Sequence, residues 1–443
     1  MSQRIKLLCL CLLFSSTVIV RAANGDPNDT RSYRVTSASP NVGRHALTVA
    51  GAAVDGSGQG YVDITADTAT VVRLRALGYQ IAPLARPLLA VDAGYHSYAQ
   101  MVAEVQAIAA AHPEIIAAPF SIGNSYEGKP LLAVKISANP NRDEAKPEVL
   151  LVGHYHAREH LTVEMMLDIL HMLADGYGTP EHAAIDALVQ AREIWLVFDM
   201  NPDGGEYDIS GGTYHYWRKN RQLNACPSGD DGNGDGRGTD MNRNHGYRWA
   251  QDDFGSSSDV CRETYRGTTP ASAPEVAAIE QFVASRVISG TQQLTTAITF
   301  HSYGALVLWP YGYTFERLPA DMQPDDAATF AALGQAMALS NDYTPQQASD
   351  LYTTNGDFSD WAYGAQRIFS YTFEMSGDFD GVAYGFYPPA SVIARETARN
   401  RAAVLLILQA AACPYVFAGK AALHCTGDRF ARVSQVWMPL IDR

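Results

Sequence analysis

Val149-Leu150-Leu151-Val152-Gly153-His154-Tyr155-His156-Ala157-Arg158-Glu159-His160-Leu161 is the stretch on which the reading of this chain turns. Four consecutive apolar residues ahead of a glycine predict a short strand buried on both faces. From Leu161 to Leu173 the apolar residues return in a run long enough for a helix. Strand, turn and helix in that order form one unit of an α/β layer, and α/β proteins place their sites at the C-terminal ends of such strands. His156 and Glu159, three apart across the turn, can face one ion. Imidazole nitrogen and carboxylate oxygen suit zinc, and three protein ligands leave a position open for chemistry.

The same residues match a second pattern, HxxEH, in which both histidines bind zinc and the glutamate is the base. That arrangement needs the motif inside a helix, with His156 and His160 on one face. Here a strand and Gly153 run directly up to it, so Glu159 pairs with His156, and His160 is expected to pack behind the site. The third ligand has to come from elsewhere. His301, directly after the apolar run Ile298-Thr299-Phe300, is the best candidate.

Outward from this segment, helix and strand patterns alternate. Tyr98 to Ala111 carries Met101, Val105 and Ile108 at helical spacing, while Leu131 to Ile136 and Ile194 to Phe198 are short apolar strands. The pattern predicts an α/β fold with helices on both faces of a largely parallel or mixed sheet. Residues 24–88 differ, with short apolar runs among Gly, Ser and Asp, a strand-like stretch at Gly60–Ile64 and a helical one from Ala66 to Leu77. They end in the Pro-bounded linker Pro83-Leu84-Ala85-Arg86-Pro87. Ahead of them, Arg4 and Lys6 precede the apolar run Leu7 to Val20, with small residues near Ala22; this predicts an export signal over residues 1–22. A run of about fourteen residues is short of the roughly twenty needed to span a bilayer. The chain is therefore expected to be secreted, extracellular or periplasmic, with no membrane association once the signal is removed. Four cysteines remain after it, Cys226, Cys261, Cys413 and Cys425, and in an oxidising compartment they suggest two disulfides. Nearest-neighbour pairing is the simplest of three connectivities. A four-cysteine zinc site is disfavoured because no CxxC pair is present.

With 47% hydrophobic and 18% charged residues the composition is that of a globular protein. The formal charge of −14 argues against nucleic acid as a partner.

Hydrolysis at a metal needs a base and a donor for the developing oxyanion. Glu374 closes the alternating strand Ser370–Phe373, and Arg218 lies in the basic cluster Trp217–Arg221. Asn242 and Arg243 supply an amide and a guanidinium suited to bidentate carboxylate binding. Tyr352 adds a phenolic hydroxyl. Each of these, met alone, reads equally as a polar surface residue.

Their combination does not. The motifs HARE (156–159), WRKNR (217–221), MNRN (241–244), FHSYG (300–304) and YTFE (371–374), in this order, resemble the zinc metallocarboxypeptidases, especially the bacterial carboxypeptidase T type. The resemblance spans about residues 92–425, including NPDGGEYDIS (201–210), ETYRG (263–267) and YTPQQASDLY (343–352). It implies a mixed eight-stranded sheet between helices, preceded by a small α+β propeptide at residues 23–88; the catalytic domain would be 89–425 and residues 426–443 a tail. It implies His156, Glu159 and His301 as zinc ligands, Glu374 as base and Arg218 as oxyanion donor. Asn242, Arg243 and Tyr352 would clamp the terminal carboxylate, with Arg158 as an outer contact. Leu308, Gly312, Leu351, Thr354, Asp357, Ser359 and Thr372 would line the pocket for the terminal side chain. Apolar C-terminal residues are then expected, with basic ones accepted if Asp357 points inward. The partners expected are peptide or protein C-termini and an activating protease, the enzyme acting as a monomer.

Two acidic sets are candidate calcium sites. Asp143, Glu144, Glu148 and Glu193 fall roughly where the carboxypeptidase T type carries calcium ligands, although Lys146 sits among them. Asp231 to Gly236 resembles the first half of a calcium loop without its closing acid. Two other functions fit parts of the sequence: a zinc hydrolase acting on a non-peptide amide or ester, which the clamp opposes, and a noncatalytic module, which should lack Glu374, His301 or Arg218.

Overall fold

The computed structural model describes residues 30–36, 43–58, 60–84, 89–224, 226, 237–376 and 382–425. The expected signal, most of the Pro-bounded linker, the 231–236 loop and the tail beyond Cys425 lie outside them.

Residues 30–83 form their own small unit. Strands β1 (Thr30–Thr36), β2 (Ala53–Gly58), β3 (Tyr61–Asp67) and β4 (Gln80–Pro83) make an antiparallel sheet in the order β2-β3-β1-β4. Helices α1 (Gly43–Val49) and α2 (Thr68–Ala76) complete it. Asp67 ends β3 and caps α2, accepting from the Thr70 N–H at 2.6 Å. Leu47, Val54, Ile64, Val71 and Leu74 form a separate apolar core.

The larger unit is built on a sheet of eight strands: β5 (Phe120–Asn124), β6 (Pro130–Ile136), β7 (Glu148–Val152), β8 (Glu193–Val197), β9 (Leu294–Ser302), β10 (Leu306–Trp309), β11 (Thr344–Gln347) and β12 (Phe369–Met375). Their order is β11-β10-β12-β9-β7-β8-β6-β5. The inner neighbours β8, β7, β9 and β12 run parallel, and antiparallel pairs flank them. Side-chain alternation in β7 sends Val149 and Leu151 into one core and Leu150 and Val152 into the other. The first core is closed by α3 (Tyr98–Ala111), α4 (Leu161–Gly176), α5 (Ala183–Ala191), α7 (Pro324–Asn341) and α9 (Arg401–Ala410). Helices α6 (Pro274–Ser285) and α8 (Phe358–Gln366) close the second. Leu151 is fully buried, so Leu151→Ala should cost about 2–5 kcal/mol.

The buried run around Val149 is thus a central strand, as its lack of alternation requires. Parallel pairing aligns the C-terminal ends of β7, β9 and β12, and sets His301 beside Glu374 in register. Cys226–Cys261 and Cys413–Cys425 are both disulfide-bonded, matching nearest-neighbour pairing.

Candidate active site

The turn after β7 carries two of the expected ligands, and the end of β9 carries the third. His156 Nδ1 lies 2.8 Å from Glu159 Oε1. His301 Nδ1 lies 3.1 Å from Glu159 Oε2 and 3.2 Å from His156 Nδ1. All three residues are buried. A tetrahedral zinc site with bonds of about 2.0–2.1 Å has ligand-to-ligand edges of about 3.3 Å, so these donor atoms already stand as three corners around one cation. His301 Nε2 is buried without a hydrogen-bond partner among the described residues, and His156 Nε2 faces Asp240 Oδ1 at 3.3 Å. A carboxylate behind a ligand imidazole is the usual support of a metal site. His160 is not part of the group: its Nε2 pairs with Asp208 Oδ2 at 2.9 Å.

Asp240 links this cluster to Arg218. Its Oδ2 accepts from Arg218 Nε (3.1 Å) and Nη2 (2.9 Å), so the Nη1 edge is the one left for another acceptor. Burial opposes the charge on Asp240, but Arg218, Arg243 and His156 outweigh it and hold the carboxyl below its usual range. Arg243 is buried, and its Nε has no partner among the described residues. Nη1 donates to its neighbour's carbonyl, Asn242 O, at 2.7 Å, and the guanidinium lies 5.7 Å from the Tyr352 ring centre. Asn242 Oδ1 accepts from Phe358 N–H at 3.0 Å, which fixes its amide. Glu374 is half-buried beside His301. Burial and the nearby Glu159 charge push its carboxyl well above the ordinary range.

The expected side-chain pocket is partly apolar and partly lined by hydroxyls. Leu308 and Leu351 cluster with Leu306 against Tyr352. Ser359 Oγ lies 2.9 Å from Thr372 Oγ1. At Gly312 a Cβ would stand 2.2 Å from Thr354 Oγ1, so only glycine fits. Asp357 is the N-cap of α8: one oxygen accepts from Asp360 N–H at 2.9 Å and the other from the Thr354 hydroxyl. Both oxygens are therefore already hydrogen-bonded within the protein, which weakens the case for Asp357 pairing with a basic side chain.

The N-terminal unit sits over this cluster. Asp55 Oδ1 meets Arg158 Nη2 at 2.9 Å, Asp63 Oδ2 accepts from Tyr303 Oη at 2.9 Å, and Asp67 pairs with Arg262 at 2.6 Å. Arg158 is fully buried, held also by Glu263 and stacked 3.9 Å from the Phe386 ring centre. Between Ala52–Asp55 and the group Arg218, Arg243 and Tyr352 remains a cavity of about 20 Å³, room for about one water.

A family model described as zinc carboxypeptidase (peptidase M14) matches residues 101–403. The chain belongs to this family. Zinc carboxypeptidases hydrolyse peptides at their C-termini, and the protein is accordingly a zinc-dependent metallocarboxypeptidase. A zinc carboxypeptidase of Saccharothrix mutabilis subsp. capreolus is 41% identical over 320 residues, covering 72% of this chain and 70% of that one. Rat carboxypeptidase A1 is 30% identical over 71% of this chain and 70% of its own. The structure of carboxypeptidase A from Helicoverpa armigera shares the fold over 90% of this chain and 99% of that one, with a TM-score of 0.70 at 22% identity.

In this zinc carboxypeptidase, Asp143, Glu148 and Glu193 do gather as the calcium comparison suggests, close enough to hold an ion. Cationic side chains already occupy the cluster. Arg286 Nη2 binds Asp143 at 2.8 Å and Glu148 at 2.6 Å, and Lys135 binds Glu193 at 2.7 Å. Lys146 pairs with Glu144 at 2.6 Å. The other calcium candidate, 231–236, lies outside the described residues. Asp240, Asp55 and Arg286 escaped sequence reasoning. Asp240 stands directly before the MNRN motif and was the one with a local signal; the other two act through contacts between distant segments.

Proposed function

We propose that the chain is a secreted zinc carboxypeptidase, made as a zymogen, that releases single residues from peptide C-termini with a preference for apolar side chains. The observation that carries this reading is the convergence of His156 Nδ1, Glu159 and His301 Nδ1 within a cation's reach, near the buried Arg243, whose Nε has no partner among the described residues. His156, Glu159 and His301 would hold the ion. Bound zinc supplies Lewis-acid chemistry, activating water and polarising the scissile carbonyl. Glu374, one strand away from His301, takes the proton of the attacking water and delivers it to the leaving amine. Arg218 donates from Nη1 to the carbonyl oxygen as charge develops there, its orientation fixed by Asp240. Arg243, the Asn242 amide and the Tyr352 hydroxyl bind the free carboxylate, while Leu308, Leu351 and Ser359 line the side-chain pocket, the leucines favouring an apolar residue. Arg158 contacts residues further up the peptide.

The zymogen reading rests on the N-terminal unit. With about 20 Å³ left above Arg218, Arg243 and Tyr352, no substrate residue fits until residues 23–88 are removed. Cleavage near Arg86 by another protease would release it, leaving residues 89–425 as the enzyme. The signal-like start and two disulfides support export.

The test is to cleave the linker, offer peptides differing only in their last residue, and follow products by mass spectrometry with and without a zinc chelator. Stepwise loss of C-terminal residues that stops with chelator supports the reading; internal cleavage or chelator-insensitive release overturns it.

A further inference from the structure

We propose that a buried brace, His154 with Asp199 and Asn201, positions the metal-binding turn and sets its affinity for zinc. The inference rests on the metal triad proposed above and extends it to residues that touch neither ion nor substrate.

His154 lies two residues before His156 with φ 61, a left-handed conformation rare for a side chain of this size. Its buried ring spans a gap. Nδ1 lies 2.8 Å from Asp199 Oδ1, and Nε2 lies 2.8 Å from Ala157 O, the carbonyl between ligand His156 and Arg158. Both ring nitrogens thus face acceptors, one after β8 and one in the turn itself. The His154 N–H donates to Thr162 Oγ1 at 3.0 Å, and that hydroxyl donates to Glu159 O at 2.7 Å. One residue therefore ties the turn down at Ala157 and, through Thr162, at Glu159, on either side of Arg158.

The anchor extends sideways from the end of β8. Asp199 Oδ1 also accepts from Asn201 N–H at 2.8 Å. Asn201 Nδ2 donates to Tyr155 O (3.2 Å) and to Lys219 O (3.1 Å). Ala157 N–H closes the circuit onto Arg218 O at 3.1 Å. The residues flanking His156, and the backbone beside Arg218, thus hang on one Asp–Asn pair. Close packing holds the ring itself: a Cβ at Gly205 would stand 2.6 Å from His154 Cε1. Loosening the brace would let His156 and Glu159 drift relative to His301, which is carried on another strand, and affinity depends on their mutual spacing.

The experiment uses full-length protein carrying Asp199→Asn, or His154→Gly, which suits the backbone but deletes the ring. Zinc dissociation constants are measured by competition with a chromogenic chelator, the visible spectrum is recorded after cobalt substitution, and melting of the metal-free protein is followed in parallel. Asn400→Ala is the control, since Asn400 is buried and its side chain bonds to Asn341, Tyr343 and Glu396, none of them part of the brace. The brace predicts about 10–100-fold weaker zinc binding and a changed cobalt spectrum in both variants, with neither change in Asn400→Ala. Asp199→Asn keeps the shape of the site, so it remains informative if His154→Gly does not fold. Zinc binding within about threefold of wild type with an unchanged spectrum overturns the brace, whatever happens to the melting temperature. His156→Ala separates the two claims: if zinc binding survives that change, the triad is wrong; if only the brace variants keep wild-type affinity, the brace alone is.

Discussion

Asp55 Oδ1 lies 2.9 Å from Arg158 Nη2, both side chains buried, where the N-terminal sheet meets the turn that carries His156 and Glu159. A buried pair of this kind is costly to break because the remaining charge stays desolvated. Asp67, at the end of the next strand, adds a second pair with the partly exposed Arg262. Asp55→Asn with Asp67→Asn should weaken the grip of the N-terminal unit and raise the activity of the uncleaved chain by about tenfold or more. Rates of the cleaved enzyme should not change. An uncleaved double variant as silent as wild type would show that these pairs do not hold the unit in place, and an uncleaved wild type as active as the cleaved enzyme would remove the zymogen reading.

Arg286 takes the place of a cation among Asp143, Glu148 and Glu193. Thermal stability is then expected to be the same in millimolar calcium and in a calcium chelator. Arg286→Met leaves fully buried Glu148 without its partner and should cost about 3–5 kcal/mol in urea unfolding. A marked calcium-dependent rise in melting temperature of the wild type would contradict this account.

Asp357 caps α8, and asparagine caps a helix about equally well. Asp357→Asn is therefore expected to keep its stability within about 0.5 kcal/mol. The ratio of kcat/KM for C-terminal Lys against C-terminal Leu should also stay unchanged. A selective loss on Lys substrates would restore Asp357 to the pocket.

His96 bridges two helices, its Nδ1 2.9 Å from Glu164 on α4 and its Nε2 2.9 Å from Glu104 on α3. The Glu164 hydrogen bond is the main cause of a raised pKa; burial opposes it, and the Glu164 and Glu104 charges add to it. A pKa raised on folding contributes stability that is complete below the unfolded value of about 6.5 and fades as pH rises through the folded value. Wild type should lose more melting temperature between pH 6 and pH 9 than His96→Gln does. Parallel curves would show that the bridge does not titrate.

Local pattern carried much of this. The unbroken apolar run before Gly153 reads as a central parallel strand because only burial on both faces permits it, and the capped, periodic stretch Tyr98–Ala111 is a helix at those same limits. His156 with Glu159 was legible for the same reason, since strand and turn fix where both point. His301 needed more: its place after an apolar run made it a candidate, but nothing near it in the sequence says that β9 pairs with β7, more than a hundred residues earlier, and the resemblance was needed to support it. Asp55 on Arg158 and Arg286 among the acids were invisible, because periodicity reports which face a residue occupies and not which distant charge meets it.

The central claim is that Asn242, Arg243 and Tyr352 receive a free terminal carboxylate beside a zinc-dependent hydrolytic site. The direct measurement compares linker-cleaved, zinc-loaded protein on one peptide ending in leucine, with its C-terminus either free or amidated. Release of leucine from the free acid, with at least about a hundredfold lower kcat/KM on the amide, is the predicted result. Equal rates on the two peptides, or cleavage at an internal bond, would contradict it.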